Sequence, residues 1–553
     1  MAIPATLIHE VRTTGNDANG GGFDPANANF ATDGTVDTNT GNTASPVFSS
    51  ASYNFVTGDI GAWLFIKSGT NSIPGWYQIA SVGSNKATLT ATIGSAFEMV
   101  ANLPYRANTA AGIATVGTPT GLTWGIDYSQ QASAQIAYTD MVIGSAGAGQ
   151  MTFTSAGNPV GKNIIGNVLN VTGGTGFTVQ RVVVSSTSGT TATVVATGSN
   201  TLGTAASTGG TANLGGAWLS LGAVGAFNLT GHAIAIKYNA SAFSVTSSGT
   251  NSAGACYQTP ASSAMTLFGY DTNRSITNTD ANRPTFEASG ISTFTLISTG
   301  TSSSSNRFYN LIADGNALSA SKGFAFQSTG RNHAYNCKAI DCTTGFDSGA
   351  YLFHCYTDGC TTGFTSQKAC FDCEAKGGTT GFNMEAGGAG INSCRASGCS
   401  GDGFSGGAFA NFITACTAYG CGGDGFDLSG TVSVIASCVS YGNTGYGFRV
   451  DASAMLLSCY AGNNGSGNLT STSCRQSPAL VNLTADPFTN AASFDFSPNN
   501  TAGGGALLRA GGLPGVSPSG TSTGYRDAGM FQHQDAGGGS GGGPLIGGRL
   551  VQA

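Results

Sequence analysis

An all-β chain built around a solenoid of short coils is the fold this sequence predicts, and three observations predict it. The pair Gly-Phe recurs at Gly323-Phe324, Gly345-Phe346, Gly363-Phe364, Gly381-Phe382, Gly403-Phe404, Gly425-Phe426 and Gly447-Phe448, at spacings of 22, 18, 18, 22, 22 and 22 residues. Aligned on that pair, the cysteines fall into columns. The first holds Cys337, Cys355, Cys373, Cys394, Cys416, Cys438 and Cys459, and the second holds Cys342, Cys360, Gly378, Cys399, Cys421, Asn443 and Asn464. Charged residues make up only 9% of the 553 positions, against 86 glycines. Such a composition suits β-structure, where Thr and Val fill strands and Gly marks turns.

A repeat of this length, with short strands and polar turns, reads as one coil of a parallel β-solenoid whose neighbours stack about 4.8 Å apart. Cys416 is then a small inward-facing residue, because free cysteine packs as a small hydrophobe. Cys421 takes a turn position that asparagine also fills, and Phe426 enters the core from the next strand. Disulfides between neighbouring coils are the alternative for these thiols. Thirteen of the 14 cysteines lie between Cys337 and Cys474. Zinc is not expected, since Cys370–Cys373 is a lone CxxC with no second pair or histidine cluster at ligand spacing. No cofactor is expected either, because "GGGFDP" and "GGTGF" lack the Gly-Lys-Ser/Thr of a phosphate loop.

The net charge of −6 comes with no cluster of Lys or Arg, which argues against a nucleic-acid partner. No run of eighteen apolar residues suggests a membrane span. The opening "MAIPATLIHEVRTTGND" lacks the basic n-region of a secretory signal, so synthesis and assembly in a cytosol are expected.

Organisation along the chain follows from composition shifts. Residues 1–27 read as an N-terminal attachment segment, 28–110 and 120–212 as two small β-modules, and 213–500 as the solenoid. Residues 501–553 read as a closing segment and Gly-rich tail. The modules are related: 55–94 and 158–198 both run from an apolar strand through a Gly/Thr turn to an aromatic after glycine (Trp76 or Phe177), then end in an alternating strand. The tail "DAGGGSGGGPLIGGRLVQA" combines a flexible linker with a short apolar peptide, readable as a disordered end or as a docking peptide.

Candidate site residues come from strand alternation. If Cys373 points inward, its neighbours on either side point outward. His354 would then lie beside Asp372, Glu374 between Tyr356 and Arg395, and Asp358 beside Lys376. Asp372 and Glu374, roughly 7 Å apart at about 3.3 Å per residue, with His354, form a candidate acid/base group of the kind glycoside hydrolysis uses. Tyr356, Tyr419, Tyr441 and Tyr460, with Arg395, form a candidate carbohydrate-binding face. The alternative is an ordinary solvated surface of weak ion pairs. Asp402 and Asp424, in "GDGF", read as turn residues capping backbone.

The coil pattern over roughly 213–500 resembles the right-handed parallel β-helix of pectate-lyase-like proteins and of phage tailspikes, and "GYRDAGMFQHQD" resembles their terminal motif. That resemblance implies the handedness, and it implies a structural component of a bacteriophage particle: a fibre, spike or head decoration. Its partners would be other virion proteins, reached through either chain end, and host surface polysaccharide, with homo-oligomers (trimers among them) common in the group. The alternatives are a surface-polysaccharide depolymerase, lyase or hydrolase, and an extracellular β-helix adhesin.

Overall fold

The structure is a computed structural model that describes residues 7–37, 46–70, 72, 74–89, 97–100, 103–107, 119–147, 150–158, 160–196, 208–221, 233–245, 258–259, 266–270, 283–289, 295–299, 306–317, 321–326, 331–365, 367–384, 390–406, 411–429, 433–470, 473–509 and 528–530. Cys256 and the expected docking peptide at the C-terminus lie outside the described residues. The chain forms two compact units, residues 1–243 with 259–285 and residues 244–258 with 286–553.

The first unit is antiparallel apart from one parallel sheet. Strands Ala31–Val36, Val47–Ser49, Trp63–Thr70, Gly75–Gly83, Lys86–Leu89, Phe97–Val100, Leu103–Ala107 and Thr120–Asp127 form one sheet, and six strands between Ile136 and Leu214 close into a barrel. The internal duplication is visible. A 3-10 turn (Thr57–Asp59 or Lys162–Ile164) leads into three sequential strands in both halves.

Two boundaries move. Thr120–Asp127, expected to open the second module, pairs with Trp63–Thr70 and Ala31–Val36 of the first, because its apolar Leu122, Trp124 and Ile126 complete that core. The two halves share one hydrophobic core running from Ala31 to Leu214. Residues 8–11, expected within a separate attachment segment, form a strand paired in parallel with Ala233–Lys237, which pairs with Thr266–Tyr270.

The second unit is a parallel β-solenoid, the fold class expected; residues 213–243 and 259–285, expected as its start, belong to the first unit. Its first sheet runs from Arg307–Tyr309 to Arg475–Ser477, its second from Ile312–Asp314 to Val481–Asn482, and its third from Thr295–Thr299 to Gly467–Leu469. Inside the third sheet the phenylalanines of the Gly-Phe pairs stack from Phe324 to Phe448, with ring centroids 4.6–5.2 Å apart and planes within 12°. The glycine before each ring is there for space. A Cβ at Gly363 or Gly381 would come within 2.6 Å of the next coil's glycine carbonyl.

The cysteine columns are buried and free of disulfides among the described residues. Each thiol of the first column lies within hydrogen-bonding reach of the carbonyl two residues earlier, from 3.5 Å at Cys337 to 3.2 Å at Cys416. The second column also faces inward. Where cysteine gives way to asparagine, side chains bridge coils: Asn443 Oδ1 accepts from the Cys421 amide (2.9 Å) and Asn464 Oδ1 from the Asn443 amide (3.1 Å).

Phe404→Ala tests the stack, because its ring lies between Phe382 (4.7 Å) and Phe426 (4.6 Å). The expected cost is about 3–5 kcal/mol, read as a lowered urea midpoint with unchanged slope. A loss below about 1 kcal/mol would mean the ladder is not what holds the coils together.

Candidate functional site

The residues singled out in sequence occupy the corner between the first and second sheets and the outer face of the second. The corner differs from the expected alternation. Asn336, His354, Asp372, Ser393, Ala415, Ser437 and Ser458 all adopt left-handed backbone, with φ of 50–55°. Asp372 therefore turns the chain, while Glu374 begins the next strand, and the two carboxylates do not share one flat strand face.

The predicted neighbours do meet. His354 Nδ1 is 3.8 Å from Asp372 Oδ2, and Lys376 Nζ is 3.8 Å from Asp358 Oδ2. The Tyr356 hydroxyl donates to Asp358 Oδ2 at 3.3 Å. Burial, with Asp358 and Glu374 nearby, pushes that phenol well up. Glu374 is ion-paired with Arg395, whose guanidinium carbon lies 4.1 Å from the Phe496 ring centroid. A carboxylate so engaged faces a buried cation rather than an open substrate path.

The expected carbohydrate-binding face is covered. Residues 483–508 fold back over the second sheet, placing Leu483, Phe488, Ala491, Phe496 and Leu508 in one cluster with Tyr441 and Tyr460, and Tyr419 packs at its edge. Tyr441 and Tyr460 are 8% and 7% exposed, and Arg395 is buried. Lys376 Nζ sits 4.2 Å from the Phe494 ring centroid, and the Tyr419 hydroxyl reaches Asp486 at 3.4 Å. A sugar cannot stack on Tyr419, Tyr441 or Arg395 while this segment is in place. Of the named group, only Tyr356 stands clear of it.

An aromatic surface that the sequence reading missed lies on the outer face of the first sheet. Tyr309, Tyr335, Phe353 and Phe371 stack in one column at 4.8, 4.8 and 5.1 Å, from a buried Tyr309 through half-buried Tyr335 and Phe353 to an exposed Phe371. Beyond Phe371 the next residue in register is Asn392, not another ring. A second column reads His333, Tyr351, Ala369, Gly390 and Phe412. His333 Nδ1 lies 3.1 Å from the Tyr335 hydroxyl, and burial, with Arg307 and Lys368 nearby, lowers its pKa, favouring the neutral ring. Lys368 Nζ is 5.9 Å from the Tyr351 ring centroid.

The small pair Ala369 and Gly390 interrupts this column between Tyr351 and Phe412, a hollow in the row of side chains about 14 Å long across three strand spacings, with Ala369 itself buried. Phe412 is 56% exposed and Phe371, at the side, 36%. Gly390 is not required by the fold. Among the described residues, a Cβ there would meet only the Ala369 Cβ, at 3.9 Å. In the third sheet the outward positions of the middle strands are half-buried Thr344, Asp347, Thr362, Thr365, Thr380 and Asn383, and toward its ends stand Lys322, Tyr446 and Arg449. Among the described residues, no group of three or more His, Cys, Asp or Glu side chains is arranged to hold a metal ion. No described helix is long and apolar enough to cross a membrane.

No protein-family model matches the chain, and no curated protein matches it. Similar solved structures include a rhamnogalacturonan lyase, 14% identical over 45% of this chain and 70% of that one, with a TM-score of 0.31. A pectate lyase is 14% identical over 58% of this chain and 92% of that one (TM-score 0.33). A periplasmic alginate epimerase is 12% identical over 44% and 76% (TM-score 0.21).

Phe496→Ala tests whether the segment over the second sheet is held by its aromatic contacts. Amide exchange across 484–509 and 417–419 is expected to quicken at least tenfold, with the Phe324–Phe448 ladder unchanged. Unaltered exchange would show that the Arg395 and Tyr419 contacts do not hold the segment down.

Proposed function

We propose that the protein is a non-enzymatic structural component of a bacteriophage particle that binds a surface polysaccharide across the outer face of its first sheet. The observation that carries the binding reading is the hollow floored by Ala369 and Gly390, bordered by Tyr351, Phe371 and Phe412. Ring faces are electron-rich and attract the polarised C–H groups of a sugar. Lys368, Asn392 and the Tyr351 hydroxyl offer polar groups at the rim, the mix of apolar wall and few polar contacts that binding sites use. The low-charge solenoid supports the virion setting, by analogy of fold only.

The depolymerase alternative has less to stand on. Its acid and base would be Asp372 and Glu374, and Glu374 faces Arg395 rather than an open groove.

Affinity electrophoresis against a panel of capsular and cell-wall polysaccharides tests the binding. Retardation of the wild type is expected, with Phe412→Ala and the hollow-filling Gly390→Trp each weakening it at least tenfold, about 1.4 kcal/mol. Equal binding by both variants would sink the assignment to this face. Mass spectrometry of purified particles tests the setting: stoichiometric presence is expected, and absence would move the protein to a free adhesin.

A further inference from the structure

The second cysteine column is broken by Gly378 and by Asn443, so its thiols fall into two isolated neighbouring pairs, Cys342 with Cys360 and Cys399 with Cys421. The coils align each pair. The Gly422 amide donates to the Cys399 carbonyl at 2.7 Å and the Gly398 amide to the Tyr419 carbonyl at 3.0 Å, bonds that flank the pair on both sides. Adjacent strands in such a ladder stand about 4.8 Å apart, inside the roughly 4.4–6.8 Å that the α-carbons of a disulfide span. All four thiols are free and buried.

The surroundings of Cys399 and Cys421 separate them from the first column. Glycine precedes each of them in a left-handed corner, with φ of 64° at Gly398 and 62° at Gly420. No atom lies within 4 Å of where a side chain would begin at either glycine. Both glycines are exposed, so among the described residues the corner beside each buried thiol carries no side chain at these positions. Gly422 and Gly423 follow Cys421, so the chain carries no side chain on the two positions after it either. In the first column the corresponding corner residues, Ser393 and Ala415, carry side chains, and both are buried.

We propose that Cys399 and Cys421 form an oxidisable dyad, which a peroxide converts into a disulfide joining two consecutive coils. The Cys421 thiolate attacks one oxygen of hydrogen peroxide, breaking the O–O bond and giving a sulfenic acid and hydroxide, which takes up the proton the thiol released. The Cys399 sulfur then attacks the Cys421 sulfur and the S–OH bond breaks. Its thiol proton leaves with the hydroxyl as water. The balance is two thiols and one peroxide giving one disulfide and two waters, with two electrons passing from sulfur to oxygen. The roles follow the hydrogen bond between the thiols, which lowers the Cys421 pKa and raises that of Cys399. Hydrogen peroxide is small and uncharged, which suits a corner closed to bulkier reagents.

The test is peroxide treatment of the folded full-length chain, then alkylation in denaturant and tryptic mapping. Cleavage after Arg395 and Arg449 yields one peptide, 396–449, with Cys399, Cys416, Cys421 and Cys438. The expected product is that peptide short of two hydrogens, with fragmentation placing the bridge at Cys399–Cys421 and thiol reductant reversing it. In Cys399→Asn, which copies the residue found at Asn443, a dimedone adduct on Cys421 is expected in place of the bridge. Cys416→Ser is expected to leave the bridge unchanged. Full alkylation of both dyad thiols after treatment, or a bridge that forms as readily at Cys416–Cys438, would overturn the proposal.

Discussion

A left-handed residue at the corner between the first and second sheets recurs in successive coils and sets the register of the solenoid. Between the first and second sheets a residue with φ near 52° turns the chain, and its amide donates to the next coil's last carbonyl on the first sheet. His354 reaches Phe371 O at 3.0 Å, Asp372 reaches Asn392 O at 3.1 Å, and Ala415 reaches Ala436 O at 2.9 Å. A non-glycine residue is unfavourable in that conformation, so the bend is held by the stack and could not form in one coil alone. The thiol two residues beyond each strand end lies within reach of that strand's final carbonyl. Cysteine fits this position because it is small and apolar with a weak donor. Serine would bring a more strongly hydrated hydroxyl into the core, and alanine would leave the carbonyl without that contact.

The same corner explains what was and was not legible in the sequence. The inward columns could be read because their chemistry repeats: Phe404 follows Phe382, and Cys416 follows Cys394. The outward faces could not be read by alternation, because the left-handed residue reverses the parity of the chain. Counting back from Cys373 by twos makes Phe371 an inward residue and Cys370 an outward one. In the structure Phe371 is exposed and Cys370 buried. Tyr335 and Phe353 were missed for the same reason, although their spacing from the cysteine column was there to be seen. On the second sheet, beyond the corner, alternation holds, and Tyr356–Glu374–Arg395 line up in register as expected.

Coverage and boundaries were not legible at all, because they depend on long-range pairing. Nothing local in "LTADPFTNAASFDFSPNN" says that Phe488 and Phe496 will lie across Tyr419. Their partners are some 70 residues away, and a tyrosine ladder reads as exposed until something is known to cover it. The strand Thr120–Asp127 is a comparable case. Its pattern marks it as a half-buried strand, but only the antiparallel register with Trp63–Thr70 assigns it to the first core.

These constraints divide the solenoid's surface by what each face can do. Inward positions are committed to stacking, since each ring or thiol touches its counterpart in the next coil, and a change there is felt by both neighbours. Outward positions are under no such demand, and the three faces have diverged. The second is occupied by the chain's own closing segment over much of its length, and the third carries small polar groups on its middle strands. Among the described residues, the first combines the exposed rings of Phe371 and Phe412 with a glycine, Gly390, whose Cβ position meets only the Ala369 Cβ. At Gly390 a larger residue would cost the fold little and would even add cover to the sheet.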